Sequence, residues 1–213
     1  PAVITRDLSG RVTMRAIRLD EPLRLDGQLD ERVYQTIAPV TDFIQQEPSE
    51  GAPATEQTEV WVLFDGETVY VAARGWDSQP DQTVANEMRR DSYGMYGNDT
   101  FAVMLDTFYD RRNGIIFNVT PLGGRMDGQV TNERDYNGDW NPIWDVEVGR
   151  FEGGWTVEAA LPFKSLRYRP GRAQVWGFNV RRRNRWKNEL SYLSPIPAAV
   201  GGRGLRAALA APL

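Results

Sequence analysis

The sequence predicts an all-β protein, a two-sheet antiparallel β-sandwich of the jelly-roll or immunoglobulin-like kind. Three observations carry this expectation. Short runs alternate apolar and polar residues with a period of two, the pattern of half-buried strands. Gly, Pro, Asn and Asp punctuate those runs at short intervals, as tight turns require. Helical patterning is scarce.

In chain order, residues 29–38 read as one or two helical turns capped by Asp30. Residues 59–64 and 69–74 flank Asp65-Gly66-Glu67, a hairpin in which Gly66 supplies the positive φ. The run 101–106 places Phe101, Val103 and Leu105 on one side. Arg112-Asn113-Gly114 then signals a second hairpin into 115–120. Runs 144–148 and 155–161 alternate around Gly153-Gly154, residues 163–166 suit a short turn, and 175–181 alternate again. These strands are expected to turn Phe101, Val103, Leu105, Trp155, Val157, Phe178 and Val180 into the space between the sheets. The simplest division is a lead-in over residues 1–18, one sandwich over 19–205, and a tail or junction over 206–213. Residues 201–213 are Gly- and Ala-rich and read as a frayed end or the entry to a further region.

Composition removes most chemistries. The 213 residues carry a net charge of −4, with 25 basic and 29 acidic side chains and 41% hydrophobic residues. No global field attracts nucleic acid or anionic lipid. No run of 18 apolar residues spans a bilayer as a helix. There are no Cys and no His. Disulfides, thiol nucleophiles, zinc fingers, iron–sulfur clusters and serine–histidine catalysis are therefore excluded. Haem is not expected, since only Met14, Met88, Met95, Met104 and Met126 remain as axial ligands. The chain opens at Pro1 without an apolar signal core, the pattern of a processed chain.

Two inventories remain. Trp61, Trp155 and Trp176 sit in alternating strands and read as core. Trp76, Tyr93, Tyr96, Trp140 and Trp186 sit in polar, turn-rich segments, where a ring either caps the end of the sandwich or stacks on a sugar. The acidic inventory clusters at strand ends. Asp106 and Asp110, with Asp99 next, are candidate oxygen ligands for calcium, and Asx-turns are the alternative use of the same groups. Arg181-Arg-Arg-Asn-Arg185 puts Arg181, Arg183 and Arg185 on one face and Arg182 on the other, and reads as a solvated or salt-bridged face.

Five blocks in order resemble the domains of carbohydrate-binding module family 9. They are Leu25-Asp-Gly-Gln-Leu-Asp-Glu31; Val60-Trp-Val-Leu-Phe-Asp65 with Val69-Tyr-Val-Ala72; Asn98-Asp-Thr-Phe-Ala-Val-Met-Leu-Asp106; Trp155-Thr-Val-Glu-Ala-Ala-Leu-Pro-Phe163; and Trp176-Gly-Phe-Asn179. Tyr34 stands where the family's entry usually has Trp. The resemblance implies a DOMON-like β-sandwich, often with calcium, that holds a sugar between two aromatic rings. Tyr96 matches the first ring, and Trp186 or Tyr192 the second. Ala102 stands where sugar binders often have Glu, and Ile115 and Ile116 follow in the next strand without an obvious polar sugar contact. Asn98 and Arg112 are the side chains expected to serve the sugar hydroxyls. Such a site is expected to bind weakly, at about 4–8 kcal/mol.

Residues 45–56, 105–112 and 188–197 are similar to the N-terminal domain of large bacterial envelope proteins. That likeness implies a periplasmic or outer-membrane setting and a covalently linked C-terminal region containing a membrane β-barrel. The expected function is non-catalytic glycan binding. The alternative is a docking domain beside a barrel with no small ligand, and a glycosidase would need two facing carboxylates about 5–10 Å apart.

Overall fold

A computed structural model describes residues 5–133, 135–171, 173–200 and 211–212. Its elements run β1 (Thr5–Arg6), β2 (Val12–Thr13), β3 (Ile17–Arg18), α1 (Arg32–Thr36), β4 (Ile44–Glu47), β5 (Thr58–Phe64), β6 (Thr68–Trp76), β7 (Thr100–Asp106), β8 (Gly114–Val119), β9 (Arg125–Thr131), β10 (Asp135–Asn137), β11 (Asp145–Phe151), β12 (Gly154–Pro162), β13 (Gly177–Asn184), β14 (Glu189–Tyr192) and β15 (Ala211–Pro212). Two sheets form the sandwich. The smaller has the order β11-β12-β6-β5-β3; the larger runs β10-β9-β8-β7-β13-β14-β4, with β15 also paired to β13. Among the described strands only β3 and β5 pair parallel.

The period-two pattern works as expected. Phe101, Val103, Leu105, Trp155, Val157, Phe178 and Val180 all lie in the main core between the sheets. Val12 and Met14, from the stretch read as a lead-in, are buried there too. The tail expected over 206–213 lies outside the described residues except for Ala211–Pro212, which pairs with Phe178 and Gly177.

Local details depart from expectation at turns. Gly66 is not at positive φ; the hairpin is closed instead by Asp65, whose Oδ1 accepts the N–H groups of Glu67 and Thr68 at 2.8 Å. The short helix has Glu31, not Asp30, as its first residue outside, with no side-chain cap. Asp30 bonds Arg24 instead. The strand β9 was not expected, because Arg125-Met-Asp-Gly-Gln-Val-Thr131 lacks apolar alternation. It is held by antiparallel pairing to β8 on one side and β10 on the other. Arg182 corrects the expected solvated face: it is buried, and donates to Gln57 O at 2.8 Å, Thr58 Oγ1 at 3.1 Å and Trp76 O at 2.5 Å. Backbone carbonyls near the ends of β5 and β6 thus satisfy its guanidinium as it enters the sandwich.

The N-terminal segment covers the outer face of the smaller sheet. Leu29 and Tyr34 pack on Trp61, Leu63 and Ala72, which alternate away from the main core. A buried carboxylate fixes this cover. Glu158 on β12 accepts the Asp26 and Gly27 N–H groups at 3.1 and 2.8 Å and the Tyr34 hydroxyl at 2.7 Å. Thr156 adds a hydrogen bond to Gly27 O at 2.5 Å. Gly27 is at φ +77°, and a Cβ there would lie 2.6 Å from the Val148 carbonyl carbon. The Leu25-Asp-Gly entry and the Trp155-Thr-Val-Glu158 strand are therefore two halves of one structural lock.

Candidate functional site

The outer face of the larger sheet is built differently. Strand register sets Tyr192, Arg181, Ala102, Asn118 and Met126 side by side across β14, β13, β7, β8 and β9. Neighbouring strands lie about 4.8 Å apart, so this row spans about 19 Å. Alternation explains its position: Val180 and Val103 point into the core, so Arg181 and Ala102 point out. Arg181 donates to Asn118 Oδ1 at 2.6 Å. Its Nε and the Tyr192 hydroxyl are buried without a hydrogen-bond partner. Arg183 follows on the same face opposite Thr100.

Three tyrosines rim the β9 end of the row. Tyr93 and Tyr96 are 73% and 42% exposed and lie 6.3 Å apart. The Tyr96 hydroxyl reaches Met126 Sδ at 3.5 Å. Tyr136 on β10 is 38% exposed and lies over Gly128, where a Cβ would come within 2.5 Å of its ring. Its hydroxyl is pushed up to about 12, first by burial and then by Tyr96 and Tyr93. The 3-10 turn Tyr93–Gly97 is anchored by Ser92, which accepts Gly94 N–H at 3.2 Å and donates to Glu87 at 2.6 Å. Arg89 holds the Glu87 carboxyl well below its usual range, with Ser92 adding to it.

The expected site residues separate. Tyr96 is part-exposed at the β9 end of the row. Tyr192 is fully buried, packed with Met104, Val130, Leu190 and Ile196, and presents no face to a ligand. Trp186 sits at the β13–β14 turn, its indole N–H directed to Asp77 at 3.2 Å and one face covered by the Lys187 ammonium at 4.9 Å. Asn98 is buried and structural: its Oδ1 accepts the Asn86 and Glu87 N–H groups and its amide donates to Gly94 O. Arg112 lies in the loop after β7 and reaches Asn132 at 3.4 Å. That loop follows the far end of β7 from Tyr96, about 20 Å away at roughly 3.3 Å per residue. Arg181, Asn118 and Tyr136 were not expected as site residues; the alternation that buries Val180 was the signal for Arg181.

The three aspartates do not form one calcium shell. Asp99 and Asp106 lie at opposite ends of β7. Asp106 accepts the Phe108 and Arg111 N–H groups, and Asp110 accepts Arg112 N, Asn113 N and Asn113 Nδ2. Asp99 accepts Arg185 N–H at 2.7 Å. N–H donors aimed at these oxygens occupy the directions a cation would need. Among the described residues no group of three or more acidic side chains converges. Asp106 and Asp110 serve turns, as Asx groups do, while Asp99 ties the distant Arg185 backbone to the start of β7.

A concavity of about 360 Å³ lies beside β3 and is lined by Ile17, Leu19, Leu23, Val33, Ile37 and Arg32 among others. No aromatic ring lines it.

Comparisons with known proteins agree with this architecture. A family model described as "Carbohydrate family 9 binding domain-like" matches residues 25–189. No curated protein matches the chain. Among solved structures, a carbohydrate binding module family 9 from Caldicellulosiruptor kristjanssonii in complex with cellotriose superposes with a TM-score of 0.63 at 14% identity, covering 91% of this chain and 89% of that one. The same module in complex with glucose gives a TM-score of 0.63 at 14% identity, covering 91% of each chain.

Proposed function

The chain belongs to the carbohydrate family 9 binding domain-like family, and from that premise we propose that it is a non-catalytic domain that binds a glycan by aromatic stacking on the outer face of the larger sheet. One observation carries the reading: three part-exposed tyrosines rim a row of outward side chains that strand register holds in line. Tyr96 and Tyr93 offer ring faces to the apolar side of a sugar, while the half-buried Arg183, with the nine-tenths-buried Arg181 beside it, offers hydrogen-bond donors. The rest of the face is rigid sheet, so little ordering is required on binding. The domain would serve a bacterial cell-envelope protein, in the periplasm or outer membrane, joined to a C-terminal region that includes a membrane β-barrel. The support for that setting is the likeness of residues 45–56, 105–112 and 188–197 to such proteins.

Titration calorimetry with glucose, cellobiose and cellotriose tests the reading. Micromolar to millimolar binding is expected, about 4–8 kcal/mol. Tyr96→Ala should weaken it about tenfold, or about 1.4 kcal/mol. If the wild-type protein binds no sugar, the glycan reading fails and the face is a docking surface within the envelope protein.

A further inference from the structure

Resting on the reading above, we propose that the glycan this face selects is acidic, a sugar whose carboxylate is held by Arg181 and Arg183. The argument begins with donors and acceptors. A neutral pyranose presents hydroxyls that need acceptors as well as donors, and a carboxylate on the protein is the usual way to take two neighbouring O–H groups at once. The row has no such group. Ala102, at its centre, contributes a methyl. Asn118 Oδ1 is already consumed by Arg181 at 2.6 Å. What remains is the half-buried Arg183 guanidinium, with the buried Arg181 guanidinium and Asn118 amide beside it, and these groups only donate.

The charge on this face is also unbalanced. Arg181 is 9% exposed and its Nε makes no hydrogen bond; the fully buried Tyr192 hydroxyl lies beside its guanidinium and feels its charge. Neither Arg181 nor Arg183 forms an ion pair among the described residues. Burial first and then the repulsive neighbours Arg181 and Arg185 push the Arg183 guanidinium below its usual range, against the attraction of Glu47 on the edge strand β4. Near the tyrosine rim Arg90 bonds both Asp91 at 3.2 Å and one Asp127 oxygen at 2.8 Å, and the other Asp127 oxygen is buried without a partner. Contrast the neighbouring Arg182, whose guanidinium is filled by two backbone carbonyls and a hydroxyl. A buried guanidinium with an idle N–H is costly unless an anion completes it. The planar fork of Arg matches a carboxylate, which accepts two parallel N–H bonds. Tyr96 and Tyr93 then stack the ring that carries it.

The test compares cellotriose with its C6-oxidised uronate, which differ only in replacing each hydroxymethyl by a carboxylate. The uronate should bind the wild-type protein at least tenfold more tightly. That preference should fall as salt is raised from about 0.05 to 0.5 M, because the pair is electrostatic. Arg181→Gln and Arg183→Gln should each remove most of the preference, read as the ratio of uronate to cellotriose affinity in the same variant. Circular dichroism confirms folding; should Arg181→Gln unfold, the half-buried Arg183 position and the salt series decide. Equal affinity for the two trisaccharides, or a preference that survives both substitutions, overturns the acidic-glycan inference and leaves the glycan reading standing. No binding of either sugar overturns the glycan reading itself.

Discussion

The two outer faces of the sandwich use buried charge in opposite ways. On the smaller sheet, the segment after β3, through α1, lies over the strands and Glu158 is saturated by three donors, two from the backbone and one from Tyr34. On the larger sheet, Arg181 is nearly as buried yet keeps an idle Nε and donates to Asn118. A charge whose shell is filled from within its own chain holds the fold together. A charge whose shell is left incomplete costs stability and is available to something from outside.

That contrast can be broken most severely at the covered face. Glu158→Ala would leave the Asp26 and Gly27 N–H groups and the Tyr34 hydroxyl without their acceptor. A loss of about 3 kcal/mol is expected. Thermal unfolding should show it as a fall of roughly 6–12 °C for a domain of this size.

A smaller effect is expected from Asp99, at the Tyr96 end of β7. Burial pushes its carboxyl up to about 6, against the Arg185 N–H and Arg182, while Asp77 adds to the rise. A folded-state value above the unfolded one means the folded state binds the extra proton. Stability from this group is therefore full below about pH 4 and is lost as pH rises through about 6. Asp99→Asn keeps an acceptor for Arg185 N–H and removes the charge. Denaturant titrations should show the variant gaining about 1–3 kcal/mol over wild type at pH 8 and nothing at pH 4. A gain equal at both pH values would contradict this assignment.

Tyr34→Phe probes the same lock as Glu158 more gently. One donor of three is lost and the ring still packs against Trp61 at 5.4 Å. About 1 kcal/mol is expected. The smallest effect should come from the outer face of the larger sheet: Arg181→Met exchanges an incompletely bonded buried cation for an apolar chain of similar length. Unfolding free energy should change by less than about 1 kcal/mol, in either direction. A loss as large as that of Glu158→Ala would show that Arg181 is structural, and would erase the difference between the two faces.

Much of the strand pattern was legible because burial imposes a period of two. Phe101, Val103 and Leu105 announce their face, as do Trp155 and Val157, and the same rule gave Arg181 and Arg183 a common side. Strand β9 escaped because its residues face a polar network: Asp127 points inward to receive the Trp144 indole N–H at 2.8 Å, so its core side is not apolar. The site was partly legible. Tyr96 stands out as a ring with no apolar alternation around it. Tyr192 misled, because a tyrosine near a turn looks like a loop residue until β14 is seen to be a buried strand with Leu190 and Tyr192 on one face. Asn98 and the three aspartates misled for a common reason. Side chains that satisfy backbone N–H groups and side chains that meet a ligand are of the same types, and only their surroundings distinguish them.

By itself the sequence determined the all-β class, the hairpin of β5 and β6, the core faces of the long strands and the absence of thiol and imidazole chemistry. Those follow from alternation, turn residues and composition, which are local. Tertiary structure alone decided which arginine of the pair Arg181 and Arg182 would be completed by the chain and which would face outward, and that Glu158 would close on Gly27 from 131 residues away in sequence. Neither is local: each depends on which backbone carbonyl, amide or neighbouring strand the fold brings to a given side chain, and a linear pattern carries no record of that partner.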